Sequence, residues 1–324
     1  MRALVTGGAG FIGSRIATQL LAQGWEVCII DNVSTGKLEN VPPAAEWVEG
    51  DVRDRDRLAV CFKKGFDAVF HLAAQVSNIL SYRDPTEDVT TNVVGTINLL
   101  ELCRAHHVPR FMHASSMALY GQPAEDMVDE SAPLNPLSFY GISKLAAENY
   151  VMAMARRNDL AGDFRATSLR MFNVFGPGQS LDNPYQGVIS VFISNILKEE
   201  PITLYGSGRQ SRDFVHIDDV IAAWMLALDA PATFGEALNV GHGRGISIND
   251  MLDAVLREFG HDRSSYRIDY QPELPGDQRR IVADISKARE LIRWQPAAEF
   301  NKALRETIQW ARQYHAHAAG NPRA

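Results

Sequence analysis

Cysteine is scarce in this chain of 324 residues, which contains three: Cys28, Cys61 and Cys103. The number is odd and none of them forms a C-x-x-C pair, which argues against a disulfide framework and against a cysteine-bound zinc site. We therefore expect a reducing compartment, the cytoplasm. His315 and His317 lie in a small, polar tail where no metal site is expected. No metal is predicted for any other part of the sequence.

Long apolar runs and a strong charge of either sign are also missing. No stretch approaches the ~18 uncharged apolar residues of a membrane span, and the first residues lead into a glycine-rich turn without an apolar leader. We therefore expect neither a membrane span nor a secretory leader. The formal charge of −7, from 32 basic and 39 acidic residues, argues against nucleic acid and anionic membranes as partners.

Short β-branched runs alternate with helix-length segments through the first half of the chain. This alternation predicts βαβ units and an α/β fold, a Rossmann-like doubly wound parallel sheet covered by helices on both faces. The predicted strands are Ala3–Thr6, Glu26–Ile30, Ala68–Leu72, Arg110–His113 and Ala166–Met171. The predicted helices are Ile12–Ala22, Arg53–Lys63, Pro85–Ala105 and Pro136–Arg157. Asp84 and Asn135 precede prolines and are expected to cap the last two, and Ser247 is expected to begin a later helix.

The alternation becomes irregular after Phe175, where glycine and proline mark loops. We expect residues 1–172 to form a nucleotide-binding domain, with 214–243 returning to it. Residues 173–213 and 244–312 would form a smaller, loop-rich substrate lobe, and residues 313–324 a frayed tail.

A glycine-rich loop joins the first predicted strand to the first helix. Gly7, Gly10 and Gly13 have G-x-x-G-x-x-G spacing. The first two allow a tight turn that brings backbone N–H groups to a pyrophosphate, and the third lets the helix pack closely on the strand. Because a strand precedes the loop and a helix follows it, the loop indicates a dinucleotide site.

Acidic residues follow the second and third strands. Asp31 lies 18 residues beyond Gly13, where a carboxylate accepts both adenosine ribose hydroxyls and repels a 2′-phosphate, which favours NAD over NADP. The alternative is a turn-forming pair of Asp31 with Asn32. Asp51 could reach the adenine amino group, or it could cap the following helix.

Tyr140 and Lys144 are four residues apart on one predicted helix, so their side chains share a face. A tyrosine with a pKa of ~10 is a poor base at neutral pH, but a nearby ammonium and a positive nicotinamide ring both favour the phenolate. Lowering that pKa to ~7 takes about 4 kcal/mol. Ser115 and Ser116 follow the fifth strand at the edge of the sheet where such folds bind ligands, and a serine there can hydrogen-bond a hydroxyl that is being oxidised.

Motifs along nearly the whole chain resemble the extended short-chain dehydrogenase/reductases, specifically the nucleotide-sugar epimerases of the UDP-glucose (UDP-galactose) 4-epimerase type. The resemblance is carried by residues 6–13 (TGGAGFIG), 31–32 (DN), 50–52 (GDV), 71–74 (HLAA), 92–96 (NVVGT), 115–121 (SSMALYG), 140–144 (YGISK), 172–177 (FNVFGP), 212–216 (RDFVH), 275–277 (PGD) and 284–288 (DISKA).

The resemblance implies roles for individual residues. The catalytic residues would be Ser116, Tyr140 and Lys144, and Lys144 would also bind the nicotinamide ribose. The residues lining the NAD site would be Gly7, Gly10, Phe11, Ile12, Gly13, Asp31, Asn32, Asp51, Val52, Leu72, Ala73, Ala74 and Asn92, together with the catalytic Tyr140 and Lys144. The nucleotide-sugar site would include Ser116, Asn173 and Arg212 at phosphate, Val188 and Ile189 at the base, and Asp277. Core packing remains the alternative for Val188 and Ile189, and a surface ion pair for Arg212.

The chain departs from its relatives at positions that bear on the reaction. Sugar 4,6-dehydratases carry an Asp-Glu pair after the position of Ser116, whereas this chain has Met117 and Ala118, which cannot transfer a proton. No basic residue follows Pro177 in the segment where relatives acting on uronic acids carry extra ones. Dehydration and a carboxylated sugar are therefore not expected.

Two further departures concern the substrate lobe. Leu274 stands where many relatives have an arginine on the substrate phosphates, so Arg209, Arg279 or Arg280 would have to substitute, or phosphate would bind more weakly. Ile281 has an intermediate size at a position that limits the sugar in the family, which suggests that N-acetylated hexoses are accepted beside plain ones. A core role for Ile281 is the alternative.

These observations predict an NAD-dependent 4-epimerase of a UDP-hexose that keeps its cofactor bound. A nucleotide-sugar reductase or dehydrogenase with net cofactor turnover, an epimerase acting at another carbon, and a non-catalytic NAD-sensing protein remain alternatives. The resemblance also implies a homodimer formed through the helices near 85–105 and 136–157.

Overall fold

The computed structural model describes residues 1–157, 163–183, 185, 187–273 and 279–320. Its strands β1 to β14 are Arg2–Thr6, Glu26–Asp31, Glu46–Glu49, Ala68–His71, Arg110–Ser116, Met127–Val128, Arg165–Met171, Asn173–Phe175, Ile202–Tyr205, Ser211–His216, Glu236–Val240, Gly245–Ser247, Ile268–Gln271 and Arg280–Ala283. Its helices α1 to α11 are Phe11–Ala22, Arg55–Phe62, Asn78–Arg83, Pro85–Val89, Gly95–Ala105, Phe139–Ala155, Val188–Leu197, Ile217–Leu228, Ile248–Glu258, Ser286–Ile292 and Phe300–Gly320. A π-helical turn, Thr90–Val94, joins α4 to α5.

The main sheet has seven strands in the order β3-β2-β1-β4-β5-β7-β11, and every neighbouring pair is parallel. Its strands read as continuous apolar runs because both faces of the sheet are covered. Successive side chains point to opposite faces, so Ala3, Val5 and Ile29 belong to one core and Leu4 and Ile30 to the other. The doubly wound parallel sheet predicted from the alternation is confirmed.

Strand order reverses at β1. The chain runs outward through β2 and β3 on one side and then crosses to β4 on the other. In open α/β sheets, a crevice forms at such a switch point, outside the carboxyl ends of the strands, and holds the ligand. Here the carboxyl ends of β1 and β4 lead into the glycine loop and into residues 72–74.

A smaller sheet, with β12, β10, β14 and β6 in order and β8 beside β10, adjoins the main one. Its separate core is built largely from α7, α9 and α11. The chain returns to the main sheet after β10, because Val220 and Trp224 of α8 belong to a main-sheet core and β11 pairs with β7. Residues 127–128 leave the main sheet to pair with β14.

The start of α6 differs from the prediction. The helix begins at Phe139 rather than at Pro136, and its cap is Ser138, whose Oγ accepts a hydrogen bond from the Gly141 amide at 3.1 Å. Asn135 therefore does not cap it. Asp84 does cap α4 as predicted, accepting from the Glu87 amide at 2.9 Å.

The C-terminal segment also differs from the prediction. Helix α11 runs to Gly320, so residues 313–320 are helical where the sequence favours a frayed tail, while 321–324 lie outside the described residues. Tyr314 stacks on Trp310 and contacts Lys37 in the loop after β2. A tertiary contact therefore stabilises a segment whose polar composition argues against order.

Membrane-spanning helices and metal-binding clusters are both absent from the described part of the chain. None of its helices combines the length and hydropathy needed to cross a membrane. It holds no group of three or more His, Cys, Asp or Glu side chains arranged for a metal ion. Cys28, Cys61 and Cys103 are all buried and free.

Candidate active site

The glycine loop is shaped by close backbone contacts. Gly7 has a φ of +69°, and a Cβ there would lie 2.7 Å from the Ala73 amide nitrogen. A Cβ on Gly13 would lie 2.2 Å from the Gly7 carbonyl oxygen. Helix α1 starts directly after this loop, and no side chain caps its first turn. The loop is therefore packed as closely as a dinucleotide site requires, and the helix N-terminus favours an anion.

Asp31 fastens the glycine loop to the end of β2. Its Oδ2 accepts a hydrogen bond from the Ala9 amide at 3.0 Å, and its Oδ1 accepts from the Val33 amide at 2.8 Å. The carboxylate is largely buried, and each oxygen has a second lone pair to offer. Asp31 can therefore hold the loop and still accept ribose hydroxyls.

Asp51 forms a polar cluster with Asn32 and Arg53. It accepts from Asn32 Nδ2 at 2.8 Å and from Arg53 Nε at 2.9 Å, and the Arg53 guanidinium lowers the pKa of the carboxyl to about 2. The following helix is capped by Asp54, which accepts from the Arg57 amide, so the capping alternative for Asp51 is wrong.

Leu72, Ala73 and Ala74 are positioned by a chain of hydrogen bonds that begins at Thr6. Thr6 Oγ1 accepts from the Leu72 and Ala73 amides at 3.2 Å each, and it lies 2.8 Å from His71 Nδ1. His71 Nε2 lies 2.9 Å from Thr96 Oγ1, which donates its proton to the Asn92 carbonyl. His71 must therefore donate from Nε2 and accept at Nδ1. Burial lowers its pKa to about 3, which keeps the ring neutral.

The structure brings Ser116, Tyr140 and Lys144 together. Ser116 ends β5, Tyr140 lies in the first turn of α6, and Lys144 is one turn later and buried. The Ser116 hydroxyl lies close enough to the Tyr140 phenol to lower its pKa, and Ser116 Oγ also accepts a hydrogen bond from the Ala118 amide at 3.2 Å. The arrangement places a serine and a phenol side by side at the carboxyl edge of the main sheet.

Burial shapes the ionisation of this group. Burial raises the pKa of Tyr140, the Ser116 hydroxyl opposes this, and the Asp88 carboxylate adds to it. Burial lowers the pKa of Lys144 to about 8, against the attraction of Glu148 and Asp88. In the protein alone burial therefore favours the protonated phenol, and the combined effect of Lys144 and a positive nicotinamide ring stays a prediction.

Asp88 is a site residue that the sequence analysis missed. Its side chain on α4 is buried and accepts from Gln75 Nε2 at 2.7 Å and from Asn92 Nδ2 at 3.3 Å. Asn92 Nδ2 also donates to Ser143 Oγ at 2.9 Å, next to Lys144. The network fixes the π-helical turn against α6. The spacing of Asp88 and Asn92, four residues apart on a helix, is the signal that could have indicated it.

A second missed group lies one turn beyond Lys144. Glu148 forms an ion pair of 2.6 Å with Arg170, and both side chains are buried. Ser115 Oγ donates to Glu148 Oε2 at 2.5 Å, and Arg170 Nη1 donates to Tyr120 Oη at 2.9 Å. These bonds join α6 to β5 and β7 and so set the position of Lys144 relative to Ser116.

The residues expected at the substrate phosphates lie on the smaller sheet. Asn173 begins β8, and its Nδ2 donates to the Asp213 carbonyl at 3.2 Å and lies 3.5 Å from Met117 Sδ. Arg212 is buried on β10, and its Nη1 donates to the Ser211 carbonyl at 2.9 Å. Asn173 is thus near the residue that follows Ser116. Leu274 and Asp277 lie outside the described residues.

The other expected substrate residues are more deeply packed. Ile189, in the first turn of α7, belongs to the core of the smaller lobe, and Val188 is partly buried against that core. Ile281 is completely buried on β14 in a main-sheet core, which favours its packing alternative over a role in an open sugar pocket. Arg280 forms an ion pair with Asp126 at 2.8 Å.

Comparison with known proteins agrees with this geometry. The family model described as the NAD dependent epimerase/dehydratase family matches residues 3–241. The chain is 35% identical over 318 residues to a UDP-glucose 4-epimerase of Mycolicibacterium smegmatis, covering 96% of this chain and 99% of the relative.

Solved structures give the same result. A UDP-glucose 4-epimerase of Thermotoga maritima with UDP-glucose matches with a TM-score of 0.91 and 34% identity, covering 97% of this chain and 99% of the other. A UDP-glucose 4-epimerase of Thermus thermophilus in complex with NAD matches with a TM-score of 0.88 and 37% identity, covering 96% and 99%.

Proposed function

This chain belongs to the NAD-dependent epimerase/dehydratase family, and from that premise we propose that it inverts C4 of a UDP-hexose. It is an epimerase, and its cofactor is NAD. The observation that carries the proposal is the juxtaposition of Ser116 at the end of β5 with Tyr140 in the first turn of α6, with Lys144 one helical turn beyond. The pair stands at the carboxyl edge of the sheet, in a chain whose glycine loop is built for a dinucleotide.

The residues present fit NAD. A Cβ would not fit at Gly7 or Gly13. Because glycine has none, the loop backbone can pack this closely and approach a diphosphate. The Asp31 carboxylate can bind the adenosine ribose, and its charge would repel a 2′-phosphate. We propose that Phe11, Ile12, Asn32, Asp51 and the segments around Val52, Leu72 and Asn92 complete the site, as in the family.

The chemistry requires Tyr140 as the phenolate, which the Lys144 ammonium and the positive nicotinamide ring of a bound NAD would both favour. NAD, held by the glycine loop, Asp31 and Lys144, would supply the hydride acceptor for C4 of the sugar and the hydride donor for its reduction. Tyr140 takes the proton of the 4-hydroxyl as the C–O double bond forms, and it gives the proton back when the 4-keto sugar is reduced. Ser116 donates a hydrogen bond to the same oxygen. The Lys144 ammonium stabilises the Tyr140 phenolate.

Inversion requires the keto sugar to turn over without leaving the protein. We propose that Asn173 and Arg212 hold the diphosphate, with Val188 and Ile189 near the base and Asp277 completing the lobe. A guanidinium suits this role because its planar fork matches phosphate oxygens. On this proposal, residues 1–172 and 214–243 bind NAD, and residues 173–213 and 244–312 bind the nucleotide sugar.

Loss of water from the sugar is not supported by the side chains after Ser116. Elimination needs an acid and a base beside the sugar, and Met117 and Ala118 supply neither. Met117 instead contacts Asn173. The keto intermediate therefore has no protein group at these positions that would divert it from reduction.

The test is epimerase activity without added cofactor. Purified protein should convert UDP-galactose to UDP-glucose with no NAD in the buffer, and Tyr140→Phe should lower kcat at least ~100-fold. A panel of UDP-, GDP-, CDP- and dTDP-sugars would define the nucleotide. A substrate deuterated at C4 should keep its label in the product. Turnover that consumes NAD in proportion to product would instead identify a dehydrogenase or reductase.

We also propose a homodimer formed through α4, α5 and α6. Apolar side chains on these elements are exposed in the single chain, among them Val89, Val94, Phe139, Ile142 and Tyr150. A face of this kind is typical of a subunit interface. Ile142→Glu should shift the mass measured by light scattering from two chains to one. Val60→Glu, a control at an exposed apolar residue on α2, should not.

The three cysteines support a reducing, cytoplasmic location. All of them are free and buried. Subcellular fractionation of the native host, with detection of the chain by an antibody, would test this location.

A further inference from the structure

One lysine joins the loop after β2 to both the smaller lobe and the last helix. Lys37 Nζ donates to Asp182 Oδ2 at 2.8 Å and to Tyr314 Oη at 2.7 Å. The ammonium also lies 5.1 Å from the centre of the Tyr314 ring. Tyr314 in turn donates to Glu39 Oε1 at 3.1 Å and stacks on Trp310. The set of Lys37, Asp182 and Tyr314 is called the clasp below.

The clasp is fastened directly to the glycine loop. The Lys37 amide donates to the Ala9 carbonyl at 3.0 Å, and Asn40 Nδ2 donates to the same oxygen at 3.0 Å. A Cβ on Gly36 would lie 2.8 Å from the Ala9 carbonyl carbon. Two hydrogen bonds and one close backbone contact therefore hold the backbone of Lys37 against the loop that is expected to receive the cofactor diphosphate.

The other two members of the clasp belong to different parts of the chain. Asp182 lies in the loop after β8, and this loop is held to α7 by the bond from Ser194 Oγ to the Leu181 carbonyl at 2.6 Å. Tyr314 lies near the end of α11. The ion pair of Lys37 and Asp182 crosses from the main-sheet side to the smaller lobe, and neither lobe can move away without breaking it.

A small cleft, with a cavity volume of about 40 Å³, lies between the clasp and the glycine loop. Its lining includes Gly10 and Phe11 at the start of α1, Lys37 and Tyr314 of the clasp, and Gly178. The first turn of α1 and the clasp therefore line the same cleft.

Charge strengthens this closure. The Asp182 carboxylate raises the pKa of Lys37, and the Lys37 ammonium lowers the pKa of Asp182. Both groups are therefore ionised at neutral pH. Lys198, at 3.9 Å, adds a second cation to Asp182. Charge-assisted hydrogen bonds of this kind are about twice as strong as neutral ones.

We propose that the clasp of Lys37, Asp182 and Tyr314 retains NAD by holding the two lobes closed over the glycine loop. The inference rests on the proposed function, because a reaction that returns the hydride it removes needs a cofactor that stays bound through many turnovers. The clasp residues are positioning residues, since they act on the opening of the cleft and not on the reacting atoms.

The experiment measures how fast bound NAD leaves the purified holoenzyme. Protein carrying NAD is diluted into an enzyme that consumes free NAD, and the release rate is compared among variants. Lys37→Met, Asp182→Asn and Tyr314→Phe should each release NAD faster, with about a 5-fold effect for Lys37→Met, the upper end for a partly exposed ion pair. Lys37→Met combined with Asp182→Asn should be no faster than Lys37→Met alone, because both remove the same bond.

A matched control separates the clasp from a general loss of a surface charge. Lys287 pairs with Glu236 at 2.7 Å, and its side chain is about as exposed as that of Lys37, at 30% against 33%. Lys287→Met should leave NAD release unchanged. Salt should speed release from the native protein, since the ion pair is partly exposed, and should have less effect on Lys37→Met.

Two outcomes would overturn the inference. Release rates within twofold of the native rate for all three clasp variants would show that the bridge does not limit NAD exit. Faster release in Lys37→Met alone, with Asp182→Asn and Tyr314→Phe unchanged, would show that Lys37 binds the cofactor directly. Neither result depends on a sugar substrate, so failure of the epimerase proposal would appear separately, as absent turnover in a protein that still retains NAD through the clasp.

Discussion

Glu148 and Arg170 form a buried ion pair of 2.6 Å where α6 packs against the main sheet. Glu148 lies one turn after Lys144 on α6, and Arg170 lies on β7, so the pair joins the helix to the sheet. Ser115 adds a hydrogen bond to the same carboxylate from β5. The distance between the serine on the sheet and the tyrosine and lysine on the helix is therefore set by a bond that involves none of them.

Removing the charge of Glu148 should destabilise the protein strongly. Glu148→Gln leaves the Arg170 guanidinium buried without its counter-ion, a change that typically costs about 3–5 kcal/mol. Urea unfolding should show this loss. Glu236→Gln, which breaks the exposed pair with Lys287, should cost no more than about 1 kcal/mol. Equal losses in the two variants would contradict the assignment of Glu148 as a structural anchor.

Lys144 should lower the free energy of unfolding of the NAD-free protein at neutral pH. Burial lowers its pKa from 10.5 to about 8, which corresponds to roughly 3 kcal/mol at pH 7. The unfolded chain binds more protons than the native one between these two values, so the contribution of Lys144 to native stability rises with pH across that window. Lys144→Met should therefore stabilise the NAD-free protein below about pH 8 and lose this advantage as the pH approaches 10.5.

The measurement is the free energy of unfolding of both proteins as a function of pH. Lys302→Met, at an exposed position of α11, serves as the control and should follow the native curve. A Lys144→Met protein less stable than the native one at pH 7 would show that the ammonium has a compensating partner. Epimerase activity should be lost in Lys144→Met but not in Lys302→Met.

Asp88 should set the lower pH limit of catalysis. Its carboxylate raises the pKa of Tyr140, so its neutralisation makes the phenolate easier to form. Asp88→Asn should therefore shift the acidic limb of the kcat/KM profile to lower pH, even if the loss of a buried network lowers the rate itself. Glu87→Gln changes a half-exposed carboxylate on the same helix that pairs with Arg53, and it should leave the limb in place. A shift of the limb to higher pH would contradict this reading.

Asp31 should decide between NAD and NADP. Asp31→Asn keeps an oxygen that can accept from the Ala9 amide but removes the charge that repels a 2′-phosphate. Binding titrations should show a narrower preference for NAD in this variant. Asp31→Ala should also weaken NAD itself, because the glycine loop loses its bond to β2. Equal affinities for NAD and NADP in the native protein would contradict the role given to Asp31.

Several features of the site could be predicted from short stretches of sequence. The glycine loop, Asp31 and the pair of Tyr140 with Lys144 depend on turns, on strand ends and on the spacing of a helix, all of which operate within a few residues. The cap at Asp84 is of the same kind and is confirmed. At Asn135 the same reasoning chose the wrong residue, because Ser138, three positions later, is extended and reaches the Gly141 amide.

The sequence by itself determined most of the elements, the parallel sheet and the residue types available for the chemistry, since each follows from local spacing. Tertiary structure alone decided which distant groups meet. It brought Asp88 to Gln75, Glu148 to Arg170, and Lys37 to Tyr314 across 277 positions of the chain. It also buried Tyr140, and this burial raises the pKa of the phenol in the protein alone. Burial and ion pairing depend on the distances between segments and on the water that folding removes. These distances and this loss of water cannot be predicted from the order of residues along one helix or strand.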